Sequence, residues 1–185
     1  ILATQNNQPD AIVNLQAAAE NTEATAYSAQ AYLKWGALLA TSDPNAALEK
    51  YAKAMEFADN SEIKASIALK QGEAYFLLKQ YAQADATFKG VVDAYPGLAV
   101  VTDAIANWYT SLLAQKKYDA VVEHFNKQLQ GAVDKLEYFQ VYLSAARAMS
   151  FSGNIDGASA LLEKITAIAG ISDANKAAVS LQKAR

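Results

Sequence analysis

The feature that most constrains this chain is a ladder of residues at a fixed interval. Ala47, Ala84, Val121 and Ala158 follow one another every 37 residues, and four positions further along Tyr51, Phe88, Phe125 and Leu162 keep the same step. A small or β-branched residue followed one helical turn later by a large apolar one puts both on a single helix face. A chain that repeats such a face builds itself from copies of one supersecondary unit, each completing its burial against the next. The segments that hold the ladder, 45–58, 81–94, 118–130 and 155–168, space their apolar residues three and four apart, the period of an amphipathic helix.

A second helix is expected ahead of each, over 27–40, 62–79, 98–116 and 134–151. Through these runs Gly36, Gly72, Tyr109 and Ala146 at steps of 36, 37 and 37, with Leu39, Tyr75, Leu112 and Met149 three residues on. Small residues let paired helices approach, and the large neighbour fills the space beside them. Punctuation agrees: Asp43-Pro44 reads as a helix start, Ser61 and Ser172 as N-caps, and Tyr95-Pro96-Gly97 and Ser152-Gly153-Asn154 as breaks. No stretch alternates β-branched and polar residues as a strand requires. Alanine supplies 40 residues, against 8 Gly and 3 Pro, a composition that favours close-packed helices over sheets or disorder.

Chemistry is excluded class by class. With no Cys there are no disulfides, thiolate metal sites or cysteine nucleophiles, and a single histidine, His124, leaves no multi-histidine metal site. The phosphate-cradling glycine loops, the His-Glu-x-x-His zinc motif and the Gly-x-Ser-x-Gly elbow are all missing, so no cofactor and no catalytic residue is expected. His124 reads as a partly exposed helix-surface residue beside Phe125, and Glu49, Glu56, Glu62 and Glu73 as solvated helix faces. Trp35 and Trp108 read as packing between helices and not as ligand cages. Sixteen basic against nineteen acidic side chains, with only Arg147 and Arg185 as arginines, give no basic stripe for nucleic acid. No run of about 18 apolar residues could span a membrane. The absence of Cys and the wealth of Asn, Gln, Ser and Thr lean towards an extracytoplasmic, periplasmic compartment. A cytosolic chain that happens to lack Cys is the other reading.

Gly72-x-x-Tyr75, Ala84-x-x-x-Phe88 and Pro96 resemble the tetratricopeptide repeat at that family's own offsets. Gly153, Ala158 and Leu162 match a further unit, and Gly36, Ala47 and Tyr51 another, so the resemblance covers roughly residues 25–170. It departs in two ways: the period is 37 in place of about 34, which sets longer junctions between units, and Tyr109 stands where a small residue is expected. The resemblance implies an all-α, right-handed αα-superhelix forming a single repeat domain. Its four helix-pair units would be 25–60, 61–97, 98–133 and 134–170, with a partial unit at 9–24 and a capping helix at 171–185. The N-terminal segment looks like half of a pair, which suggests a processed form or a fragment of a longer chain.

The same resemblance places the first helix of each unit on a concave groove. Carried over position by position, that groove shows Leu33 in the first unit and Leu69, Glu73 and Phe76 in the second. It continues with Thr110 in the third unit and with Leu143 and Arg147 in the fourth. Members that clamp chaperone tails use Lys, Asn and Arg at set places. Here only Lys34, Lys70 and Asn107 fall near them, with Leu33 and Ala37 at the strongest positions. The expected function is therefore a non-catalytic scaffold or assembly factor that holds a peptide or helix in an apolar groove. The alternative is a structural protein whose copies stack through open repeat ends as a homo-oligomer.

Overall fold

The computed structural model describes residues 8–20, 25–130 and 133–183. Among them are ten α-helices and no strand. In chain order they are α1 (Gln8–Ala19), α2 (Thr25–Leu39), α3 (Pro44–Phe57), α4 (Ser61–Leu77) and α5 (Tyr81–Ala94). These are followed by α6 (Val100–Ala114), α7 (Tyr118–Gln128), α8 (Phe139–Phe151), α9 (Ile155–Thr166) and α10 (Asp173–Lys183). Two compact units divide the chain between Ala104 and Ile105, within α6. In the first, α1 packs on α2, α2 on α3, α3 on α4 and α4 on α5; in the second, α7 packs on α8, α8 on α9 and α9 on α10. This is the tandem helix-pair architecture of an α-solenoid. The ends of the expected partial units, 21–24 and 184–185, lie outside the described residues.

The two ladders meet inside each pair. Tyr51 and Phe88 are fully buried, and their rings lie against Gly36 and Gly72. A Cβ at either glycine would stand 2.7 Å from the ring's Cδ1 and nearer still to Cε1, closer than real side chains come. Glycine is therefore required there by the approach of the facing helix and not by a turn. In the fourth pair the same slot holds the buried couple Ala146 and Leu162, in which a larger small residue faces a smaller large one. Each such buried side chain stabilises the fold by roughly 1.5–3 kcal/mol. Around Tyr51 the first unit's core closes with Ala47, Ala54, Ile67 and Ala74. In the second unit Tyr109, Phe125, Tyr142 and Ile165 are the largest fully buried side chains.

The turns between the two helices of a pair repeat as faithfully as the ladders. The backbone N–H groups of Gln80, Lys117 and Asn154 donate to the carbonyls of Tyr75, Leu112 and Met149. Those of Lys79, Lys116 and Gly153 donate to Phe76, Leu113 and Ser150. This double closure ends a helix on a residue in the left-handed region, and the φ values of Lys79, Lys116 and Gly153 are 59°, 60° and 87°. Only the last of the three is glycine. The α2–α3 turn differs: Asp43 N–H donates to Leu39 O, and Asp43 Oδ1 accepts from Ala46 N–H at 3.0 Å with Pro44 in the first turn.

Some expected boundaries shift. Asn60, and not Ser61, caps α4, its Oδ1 accepting from Ile63 N–H at 2.9 Å, because Ser61 already has helical backbone. Ser172 does cap α10, through Asn175 N–H. The expected helix over 134–151 begins only at Phe139, after a 3₁₀ turn at Leu136–Tyr138. Tyr51 to Gly72, Phe88 to Tyr109 and Phe125 to Ala146 span the same number of residues. Yet the connections run over 58–60, 95–99 and, among the described residues, 129–130 and 133–138, and α4, α6 and α8 shorten in step to 17, 15 and 13 residues. The additional residues of the long period are thus helix at the first junction and connection at the last.

Two predictions follow from this packing. Gly72→Ala drives a methyl group into a ring that has no room to swing. It should lower stability by about 1–2 kcal/mol despite the better helix propensity of alanine. Adding Phe88→Leu reproduces the Ala146–Leu162 pairing and should recover most of the loss, as urea midpoints will show. Lys79→Gly and Lys116→Gly should each raise stability by about 1 kcal/mol, since both remove a Cβ from the left-handed region.

Candidate functional site

The first helices of consecutive pairs, α2 and α4, touch in the first unit, so their outward faces form one surface. The structure sorts the expected groove residues on it by depth. Leu69 is 6% exposed and belongs to the core. Leu33 is half-buried and rooted on the cluster around Tyr51. Glu73, also half-buried, accepts from Lys70 Nζ at 2.7 Å, one helical turn back. Phe76 is half-buried, its ring tilted against Tyr81 at 5.6 Å. Beside it Leu77, at the last turn of α4, is 51% exposed. The reachable apolar material of this face therefore gathers at the C-terminal end of α4, with Glu73 as its charge.

In the second unit Leu143 is buried, 8% exposed. Thr110 is exposed, but its hydroxyl donates to Ala106 O at 2.9 Å on its own helix. Arg147 is half-buried and its Nε donates to Gln182 Oε1 at 3.4 Å. The pair borders a cavity of about 230 Å³ lined by Arg147 and Phe151 of α8, Ile155 and Leu162 of α9, and Gln182 and Lys183 of α10. The sequence reading missed the contribution of α10. The one local signal for it is a polar Gln182 three residues after the fully buried Val179, on a stripe where an apolar residue belongs.

Tryptophan occupies corresponding places in the first and third pairs, and its partner on the facing helix is Lys50 in the first and His124 in the third. Trp35, beside Gly36, carries Lys50 Nζ over its ring at 4.2 Å, a contact worth about 0.5–1 kcal/mol at an accessible position. It also stacks on Tyr32 at 6.1 Å. Trp108, beside Tyr109, meets His124 edge to face at 4.8 Å. The Tyr109 hydroxyl and His124 Nδ1 share a hydrogen bond of 2.7 Å. Tyr109 thus fills a slot that holds glycine or alanine in the other pairs, and its hydroxyl finds a polar partner on the facing helix. His124 is half-buried, engaged by two aromatic rings. Among the described residues no group of three or more His, Cys, Asp or Glu could hold a metal, and no helix is long and apolar enough to cross a membrane.

Burial pushes three tyrosines up from their ordinary range. Tyr51 reaches about 12, through loss of hydration and then through the Glu73 carboxylate. Burial raises Tyr109 as well, and Tyr142 for the same first reason.

The crystal structure of MamA protein shares this fold, superposing with a TM-score of 0.63 at 18% sequence identity over 88% of this chain and 85% of that one. No family model and no curated protein matches the sequence. The shared architecture is an all-α helical repeat.

The tyrosine shifts set a pH dependence. A phenol whose folded value lies above its unfolded value of about 10 supports the fold fully below that pH, and the support is lost as pH rises towards the folded value. Stability should therefore be level up to about pH 9 and fall between about 10 and about 12. Ultraviolet titration should show the buried phenols ionising only as helicity is lost, and Tyr109→Phe should flatten the fall.

Proposed function

We propose that this chain is a non-catalytic protein-interaction scaffold or assembly factor that holds a peptide or helix of a partner against the first helices of its repeats. The observation that carries the reading is the adjacency of α2 and α4, with Leu77 exposed and Phe76 half-buried at the end of α4 while Leu69 and Tyr51 belong to the core. Rigid paired helices present such a face already ordered, so less ordering cost opposes binding. Phe76 is the anchor, Leu33 and Glu73 flank it, and in the second unit Thr110, Leu143 and Arg147 occupy the corresponding helices. The partner is a protein or peptide, with no cofactor and no nucleic acid. A second reading, self-assembly through the outer helices, draws on Val13 of α1 and Leu181 of α10, both large, apolar and exposed.

The test separates surface from core. Phe76→Glu and Leu77→Glu should keep helicity and melting behaviour while weakening capture of a crosslinked partner at least tenfold, the scale of an interface anchor. Leu69→Glu would unfold the chain and report nothing on binding. A mass that rises with concentration in sedimentation, and returns to the monomer in Val13→Asp or Leu181→Asp, would transfer the assignment to self-assembly.

A further inference from the structure

The cavity among α8, α9 and α10 combines cations with an apolar rim. It is bordered by two cations, Arg147 and Lys183, and by the hydroxyl-bearing Ser150 and Ser159, and among the described residues no carboxylate side chain lines it. This occurs in a protein of net charge −3. The lysines Lys53, Lys70, Lys89 and Lys176 pair with acids one helical turn away. Among the described residues neither Arg147 nor Lys183 has such a partner. Gln182, 8% exposed, accepts from Arg147 Nε and so holds the guanidinium at the cavity's edge. The other side of the opening is apolar and outward-facing: Phe151 is 60% and Ile155 57% exposed.

Arg147 and Phe151 lie four residues apart on α8, which sets the cation and the apolar rim about 6 Å apart along the helix. The cavity, about 230 Å³, is below the roughly 300–1,000 Å³ of a small-molecule site and suits one side chain. We propose that it docks a helical segment of a partner protein bearing an acidic and a large apolar side chain one turn apart. The carboxylate engages Arg147 and Lys183, and the apolar group enters against Ile155 and Leu162. A ligand ending inside the cavity would leave Phe151 and Ile155 uncovered, whereas a helix lying across the opening covers both. Charge-assisted hydrogen bonds to a half-buried guanidinium are the strong kind, and the charge pattern makes the site selective for acidic segments. The inference rests on the protein-binding reading but uses residues apart from the α4 face.

The probe is an acetylated and amidated helical peptide with Leu and Glu four residues apart, titrated into the whole protein by calorimetry and amide NMR. Binding should perturb Ser150 and Ser159. It should weaken at least fivefold when the peptide Glu becomes Gln, and likewise in Lys183→Glu, an exposed position that leaves the fold intact. Changing the peptide Glu to Lys should restore binding to Lys183→Glu. Equal binding of the Glu and Gln peptides, no perturbation at millimolar peptide, or failure of the charge exchange would overturn the proposal. So would octanoate displacing the peptide at lower concentration, which would assign the cavity to a small apolar acid. Because the titration needs no natural partner, the two readings fail separately. A silent cavity with capture still lost in Phe76→Glu removes only this inference. A working charge exchange with capture intact in Phe76→Glu removes only the α4 face.

Discussion

The contact between a small residue on one helix and a large ring on its partner is the interaction from which the rest of the structure follows. Where Gly36 faces Tyr51 and Gly72 faces Phe88, the backbone of the first helix lies against the ring with no Cβ between them. The close approach buries both helices' stripes at once and fixes their relative register, since a ring that fits one gap fits no other along the helix. Repetition at 37 residues then carries the same register along the chain. The left-handed turns at Lys79, Lys116 and Gly153 keep the same step. Lysine in two of them shows that turn geometry is imposed by the helices it joins, strongly enough to hold a side chain in a region it disfavours.

The third pair shows how much deviation the scheme absorbs. Tyr109 brings a full ring and a hydroxyl to a position that elsewhere needs a hydrogen atom or a methyl group. The compensation is local and polar: His124 takes the hydroxyl, and Trp108 covers the imidazole edge to face. The lone histidine is thereby accounted for as the partner of a repeat-breaking residue. The first pair solves the neighbouring contact with Lys50 over Trp35. Both are devices of packing, and they leave the outward faces of the first helices to carry whatever recognition the protein performs.

Those faces differ between the two units. On α4 the accessible group is an apolar pair at the helix end, beside a carboxylate already held by Lys70. Around α8 it is a cation pair with an apolar rim and, among the described residues, no acidic side chain. On the proposed reading, two such faces would discriminate between segments of a partner by charge as well as by shape, because a like charge placed against either is penalised.

The sequence by itself determined the helices, their pairing and the ladder. Periodicity is local: residues three, four and 37 apart are set by covalent geometry and by one repeated unit, and both can be counted. The capping of α3 by Asp43 and the break at Gly153 were legible for the same reason. Which residue of a groove face reaches solvent was not. Leu33, Leu69, Phe76 and Leu143 look equivalent in the sequence, yet two are core and two half-buried, because burial depends on how closely the neighbouring helix approaches. The late start of α8 at Phe139, after the 3₁₀ turn at Leu136–Tyr138, was likewise not legible. Only the tertiary structure brought Gln182 and Lys183 to Arg147 across 35 residues of chain, since no local pattern records which helix end an arginine will meet once α10 has packed on α9.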